Sequence, residues 1–382
     1  MHKVSEQKQR VERALGRLKW VVGVVLAVGL VSGVAAKDYG KPGEPVHLVV
    51  GYQPYYTEAW SGVVMRGKEF WKKYLPKGSS VEFQIGLQGS IIVNAMLAGK
   101  QDVGYMGDMP AIVATTKTRV ADVRMVGVAG LGWDQCNIFL VRNDAPDFKS
   151  PQDALKWLNG KRVAAPKGAC TDRYVQAVFK KLDIEPEAYL NQNIEVITSG
   201  FKAGKLDAAA IWEPTASKLV EEGLARRVAA GYAVDENDGG FLTMRADLIE
   251  QRPDVVKGWM NAELDAQLFM ADPKNAVEVA ALAESQTTGF SKKELWRSFA
   301  GAYSKAEDGG DVRLLLEYAF TERARELIKR AAAFLHSIKS INVKELRPEA
   351  VETRFTEAVL KERGITAPVG KVSAQPVADF PG

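Results

Sequence analysis

The chain has 382 residues, 46% of them hydrophobic and 26% charged, with a formal net charge of +4. This is ordinary globular composition, which excludes a disordered or collagen-like chain, and the length suggests about two domains. Much of the positive charge sits between Lys3 and Lys19. No basic stripe with interleaved aromatics follows it, so no nucleic-acid partner is expected.

Lys3, Lys8, Arg10, Arg13, Arg17 and Lys19 precede an apolar run, "VVGVVLAVGLVSGVAA" (Val21 to Ala36). Val34 and Ala36 stand third and first before Lys37, the positions that a cleavage site fills with small residues. A basic segment, an apolar core and such a site predict a secretory signal over 1–36. The run is short for a membrane span, which leaves a retained anchor as the alternative. No Cys follows the apolar core, which disfavours a lipid-anchored form. The two cysteines, Cys136 and Cys170, either bridge in an oxidising compartment or are separate small buried residues.

"KDYGKPGEP" (Lys37 to Pro45) reads as a polar linker. "VHLVVGY" then predicts a buried strand. "YTEAWSGVVMRGKEFWKKYL" has helical spacing, and "SVEFQIGL" is a second strand. "GSIIVNAMLAGK" is a helix from Ser90 to near Gly99, "DVGYM" a third strand, "PAIVATTK" a helix and "VRMVGVAGL" a fourth strand.

The pattern then restarts. "CNIFLVR" is a strand, and "SPQDALKWLNGK" a helix with Ser150 as N-cap, Pro151 at the first position and Gly160 at its end. "RVAAP" is a strand, "TDRYVQAVFKKL" a helix, "IEVITS" a strand and "FKAGK" a short helical turn. "DAAAIWEP" is a strand and "TASKLVEEGLA" a helix. From "PDVVKGWMNAELDAQLFMADPKNAVEVAALAE" onward, through "VRLLLEYAFTERARELIKRAAAFLHSI", the chain reads as mostly helical. Residues 371–382 read as a loose Pro/Gly-rich tail. Strands alternating with helices indicate α/β architecture with mostly parallel sheets flanked by helices.

Two stretches nearly repeat each other: "AGKQDVGYMGDMP" (Ala98 to Pro110) and "AGKLDAAAIWEP" (Ala203 to Pro214). Asp108 and Glu213 fall at the same offset. The echo suggests two related lobes.

In open parallel sheets ligands sit beyond the carboxyl ends of the strands. That rule selects Gln53 and Tyr55; Gln88, Gly89 and Ser90; Gly107 and Asp108; Trp133; Cys170 and Thr171; and Trp212 and Glu213. "QGS" and "KGACT" run into helix N-termini, which suit an anion such as a carboxylate, sulfonate or phosphate. Ser90 and Thr171 are equally readable as ordinary N-caps. Two acids beside an anion would repel it, so Asp108 and Glu213 either pair with Arg or Lys inside their own lobes or face a positive group on a zwitterion. Enzyme signals are weak. The histidines are His2, His47 and His336, and no zinc spacing, Walker loop, dinucleotide fingerprint or Gly-flanked Ser occurs. No cofactor or metal is expected. Cys170 at a helix N-terminus is the remaining candidate nucleophile.

The chain resembles the periplasmic substrate-binding proteins of ABC transporters in the nitrate/sulfonate/taurine group, also described as pyrimidine-precursor-synthase-like. The resemblance runs from about Val46 to about Phe299, on "GYQP", "GLQGSIIVNAMLAGKQDVGYMGDMP", "LNGKRVAAPKG" and "DAAAIWEP". It implies a two-lobed type II periplasmic-binding-protein fold with the ligand cleft between the lobes. Lobe one is then 45–135 plus 238–370, and lobe two 136–237. Gln53, the "QGS" turn, the Gly107–Asp108 rim, the "KGACT" turn and "WEP" would line the cleft, while Tyr55 and Trp133 rest on the strand-end rule alone. It further implies a periplasmic protein that captures a small organic anion or zwitterion and delivers it to an ABC permease and its ATPase. The alternatives are a Cys170-dependent enzyme on the same scaffold, such as a C–S bond hydrolase or a pyrimidine-precursor synthase, and a ligand-sensing subunit. Cys170 stands where relatives usually carry small hydroxylated residues, and Asp108 where many lack an acid.

Overall fold

The computed structural model describes residues 36–380. The expected signal over 1–36 lies outside them except for its last residue. Among the described residues no helix is long and apolar enough to cross a membrane.

The chain first builds β1 (His47–Tyr52), α1 (Ser61–Lys68), β2 (Ser80–Ile85), α2 (Gly89–Leu97), β3 (Val103–Gly107), α3 (Asp108–Thr115) and β4 (Val123–Gly132). It crosses into β5 (Ile138–Val141), α4 (Pro151–Trp157), β6 (Arg162–Ala165), α5 (Cys170–Leu182), β7 (Ala188–Asn191), α6 (Ile194–Lys202), β8 (Ala208–Ile211), α7 (Thr215–Glu221) and β9 (Arg226–Ala230). It returns through β10 (Asp238–Arg245) to α8 (Ala246–Gln251), α9 (Pro253–Ala271), α10 (Ala276–Glu284), α11 (Lys292–Ala300), β11 (Val312–Leu316), α12 (Glu322–Ser337), α13 (Arg354–Arg363) and β12 (Gly370–Ser373).

Two helix-flanked sheets result, one per lobe. The first runs β12-β11-β4-β10-β3-β1-β2 and the second β7-β6-β8-β5-β9. Parallel pairing is confined to β2–β1–β3 and to β7–β6–β8; the other strands join antiparallel, so both sheets are mixed. Each parallel trio has the same order, with the first strand in the middle.

The repeated "AGK-x-D" closes each trio. Gly99 (φ 72°) and Gly204 (φ 63°) end α2 and α6 in the left-handed conformation that a glycine adopts without a Cβ penalty. Asp102 then donates its backbone N–H to Val49 O and accepts from Val49 N through its carboxylate, both at 2.8 Å. Asp207 repeats the clip on Arg162, at 3.2 and 2.9 Å. The echo therefore marks equivalent corners at the strand starts, where an Asp fixes each third strand to the first.

Sequence pattern and structure part in several places; β7, β9 and β10 were not expected as strands. "IEVITS" belongs to helix α6: Asn193 caps it by accepting from Val196 N, and Ile197 and Phe201, four apart, are buried together. Helical spacing outweighs the β-branched composition. "VRLLL" is a strand, a short apolar run following Gly309–Gly310 and pairing with β12 and β4. The tail expected to be loose from residue 371 supplies most of β12, and Gln375 accepts from Ala302 N. The long helix expected after Tyr56 breaks at Glu69 (φ 52°), whose N–H returns to Met65 O.

Candidate functional site

The strand ends of both lobes face one another across a cavity of about 340 Å³. Lobe one contributes Gln53 after β1, Gln88 to Ser90 after β2, and Gly107 and Asp108 after β3. Lobe two contributes Pro166 to Cys170 after β6 and Trp212 after β8. Val93, Pro110, Val113 and Ala169 give it apolar walls.

Helices α2 and α5 both open onto this cavity. Their N-caps, Gln88 and Ala169, are extended, and neither side chain accepts a bond from the first turn. Uncapped first-turn N–H groups at a positive helix end attract an anion. Both helices start one residue before the sequence expectation. Ser90 and Thr171 lie inside the first turns and are not N-caps. Lys167, on the same rim, holds its ammonium 4.3 Å from the Tyr189 ring centroid.

Of the residues selected from sequence, Gln53, Gln88, Gly89, Ser90, Gly107, Asp108, Cys170 and Trp212 meet in the cavity wall. Four do not. Tyr55 turns outward, its ring against Phe290, and its carbonyl accepts from Trp212 Nε1 at 3.1 Å. Trp133 stacks on Tyr232 at 5.7 Å, bracing the two segments that join the lobes. Thr171 is buried in the first turn of α5. Glu213 is buried away from the cavity, accepting from Ser217 N and Ser217 Oγ, with Tyr303 at 3.2 Å. Tyr56, Asn94 and Ser340 also line the cavity. Asn94 stands four residues after Ser90, so helical spacing signals it. Ser340 follows a distant helix and has no local signal.

Of the two alternatives the sequence left open, pairing with arginines holds for both echoed acids: Asp108 pairs with an arginine of the opposite lobe, and Glu213 with one of the opposite lobe and one of its own. Asp108 accepts from Arg173 Nη2 at 2.9 Å. Glu213 lies 3.4 Å from Arg313 Nη2 and 4.0 Å from Arg227. All these side chains are buried. Arg313 and Arg227 also meet Asp134. Burial opposes the charge on Arg173, but Asp108, Asp238 and Glu236 around it raise its pKa further. Burial raises the Asp108 pKa on balance, while the Arg173 guanidinium and the Met109 N–H oppose the rise, so the carboxyl reaches the cavity with Arg173 set against its charge.

Behind the cavity wall lies a second acidic pair. The Tyr56 hydroxyl donates to Glu58 and stands 3.4 Å from Asp238. Burial, then the Asp238 carboxylate, pushes Glu58 well above its ordinary range. Burial also pushes Asp238 up, to about 8.

Cys136, in the segment entering lobe two, is disulfide-bonded to Cys170, with Cα atoms 6.3 Å apart. The bridge fixes one cavity wall to the lobe connection. It also occupies the sulfur that a nucleophile would need.

Residues 41–284 match the model of the NMT1-like family. The chain is 24% identical over 253 residues to the taurine-binding periplasmic protein of Escherichia coli (strain K12), a match covering 63% of this chain and 74% of that protein. It is 28% identical over 229 residues to the putative aliphatic sulfonates-binding protein of the same strain, covering 58% of this chain and 66% of that one. Among solved structures it is similar in fold to the alkanesulfonate-binding protein SsuA from Xanthomonas axonopodis pv. citri bound to MOPS. That likeness has a TM-score of 0.62 and 20% identity, over 81% of this chain and 98% of the other.

Proposed function

The chain belongs to the NMT1-like family, and from that premise we propose that it is an exported solute-binding protein. It captures a small organic anion or zwitterion, sulfonate- or taurine-like, between its lobes and delivers it to an ABC permease. The observation that carries this reading is the meeting of two uncapped helix N-termini, one from each lobe, in one cavity. The backbone N–H groups at Gly89–Ser90 and at Cys170 receive the anionic head, and Lys167 adds a positive field. The stem packs on Val93, Val113 and Trp212. Each helix end contributes ~0.3–1 kcal/mol at an exposed site and up to ~2 kcal/mol when partly buried. The compensation of Asp108 by Arg173 removes the repulsion that its charge would impose.

The periplasmic taurine-binding relative and the basic-then-apolar N-terminus support export. The Cys-dependent enzyme reading requires a free Cys170 thiol, and Cys170 is bonded to Cys136.

A thermal-shift panel of sulfonates, taurine, carboxylates, nitrate and pyrimidines tests the reading. A ligand at a hundredfold excess over its Kd stabilises the folded state by about 2.7 kcal/mol, so the melting temperature should rise by a few degrees with a sulfonate. No shift with any anion of the panel refutes it.

A further inference from the structure

We propose that the chain is cut between Ala36 and Lys37 and that the α-ammonium released on Lys37 docks on Asp247, in a socket that lobe one already carries. The proposal rests on the export reading above. The sequence marks this bond by Val34 and Ala36. The structure shows the residue that follows this bond anchored to lobe one.

Ala36 is exposed, and the next residue is held at every polar group. Lys37 N donates to Asp247 Oδ2 at 2.9 Å. Its Nζ lies 2.8 and 2.9 Å from the two oxygens of Asp102, a fully buried carboxylate. Its carbonyl accepts from Gln251 Nε2 at 2.9 Å. Two residues on, Tyr39 N donates to Gln251 Oε1 and the Tyr39 hydroxyl donates to Asp102. Tyr39 is part of the core of lobe one.

Hydrolysis adds water across the Ala36–Lys37 amide. The C–N bond breaks, the hydroxyl stays on the Ala36 carbonyl carbon as a carboxylate, and the nitrogen takes up protons as an ammonium. The nitrogen that forms this ammonium already points at Asp247. A neutral amide bond to a carboxylate becomes an ion pair, and charge-assisted hydrogen bonds are the stronger kind. Arg245 shares the Asp247 carboxylate, at 2.6 and 3.0 Å, and holds the acceptor in place. Burial raises the Asp247 pKa, but the Arg245 guanidinium and then the Lys37 N–H outweigh it, so the carboxyl is kept below its ordinary range and stays charged. Processing therefore completes an interaction in lobe one as well as releasing a leader.

The test expresses the full chain in an exporting bacterium and reads the intact mass and first residue of the product. The expected product starts at Lys37. Export with any other first residue overturns this inference and leaves the export reading standing; retention in the cytosol with the leader intact overturns both. Solute binding is scored separately on the same product by the panel above. A second measurement compares the mature protein with one retaining Ala36, in wild type and in Asp247→Asn. The retained residue should lower the wild-type melting temperature by about 1–3 °C, with no difference in the variant. Equal melting of the two wild-type forms overturns the docking.

Discussion

Asp108 and Glu213 were legible as corner residues because strand-end position is written in the sequence. Their partners were not: Arg173 and Arg313 stand 65 and 100 residues away, on the opposite lobe. Tyr56 and Glu58 escaped notice for a similar reason, since the Asp238 that faces them is 182 residues from Tyr56. This buried pair has a measurable consequence. Burial, and after it the Asp108 carboxylate, raises Asp238 to about 8, while hydrogen bonds from Glu58 and Tyr56 and the Arg173 charge oppose the rise. The folded state thus keeps a proton that the unfolded chain gives up near its ordinary value of 3.8. The stability conferred is fully present below the unfolded value and is lost as pH rises through about 8. Melting temperature should therefore fall from mildly acidic to alkaline pH. Asp238→Asn, which cannot ionise, should flatten that fall. A variant whose melting curve tracks wild type across the range removes Asp238 from the explanation.

At the scale of elements, alternation of strand and helix announced the first parallel trio and two strands of the second, β6 and β8, but not β7, and caps such as Ser150 with Pro151 were readable directly. The antiparallel β9 and β10 were not announced. The eight residues of β10 are all buried between β3 and β4, so no polar alternation outlines that strand. The "AGK-x-D" echo was visible, but its purpose needed the register: an Asp side chain that accepts from a backbone N–H of the neighbouring strand. Asp207→Ala should cost about 1.5–3 kcal/mol, the worth of a hydrogen bond to a charged acceptor. Asp102→Ala should cost more, because Lys37 and Tyr39 share that carboxylate. Denaturant midpoints of the two variants check both the sizes and their order. A neutral Asp207→Ala would leave the clip without energetic weight.

On the scale of the molecule, the two-lobed arrangement followed from the sequence resemblance, whereas the closing of the cleft by buried ion pairs did not. Asp108–Arg173 borders the cavity, and Glu213–Arg313 with Asp134 and Arg227 binds the lobes elsewhere. The Cys136–Cys170 bridge adds a covalent tie across 34 residues of sequence. Loops of that size are worth about 3–4 kcal/mol on the chain-entropy account. Reductant should lower the melting temperature, and Cys136→Ser with Cys170→Ser together should reproduce that loss and be insensitive to reductant. A double variant as stable as oxidised wild type would show that the bridge does not stabilise the fold.

The chain leaves lobe one at Gly132 and re-enters at Asp238, and these two residues are direct cross-strand partners. Everything between them is therefore a single uninterrupted excursion with adjoining ends, inserted into a lobe that is otherwise continuous in space. A third of the residues lining the cavity, Pro166 to Cys170 and Trp212, travels with that excursion as one cassette. Exchanging the cassette for that of a relative would recast one jaw of the chamber while leaving the other jaw, and its strand order, as they stand.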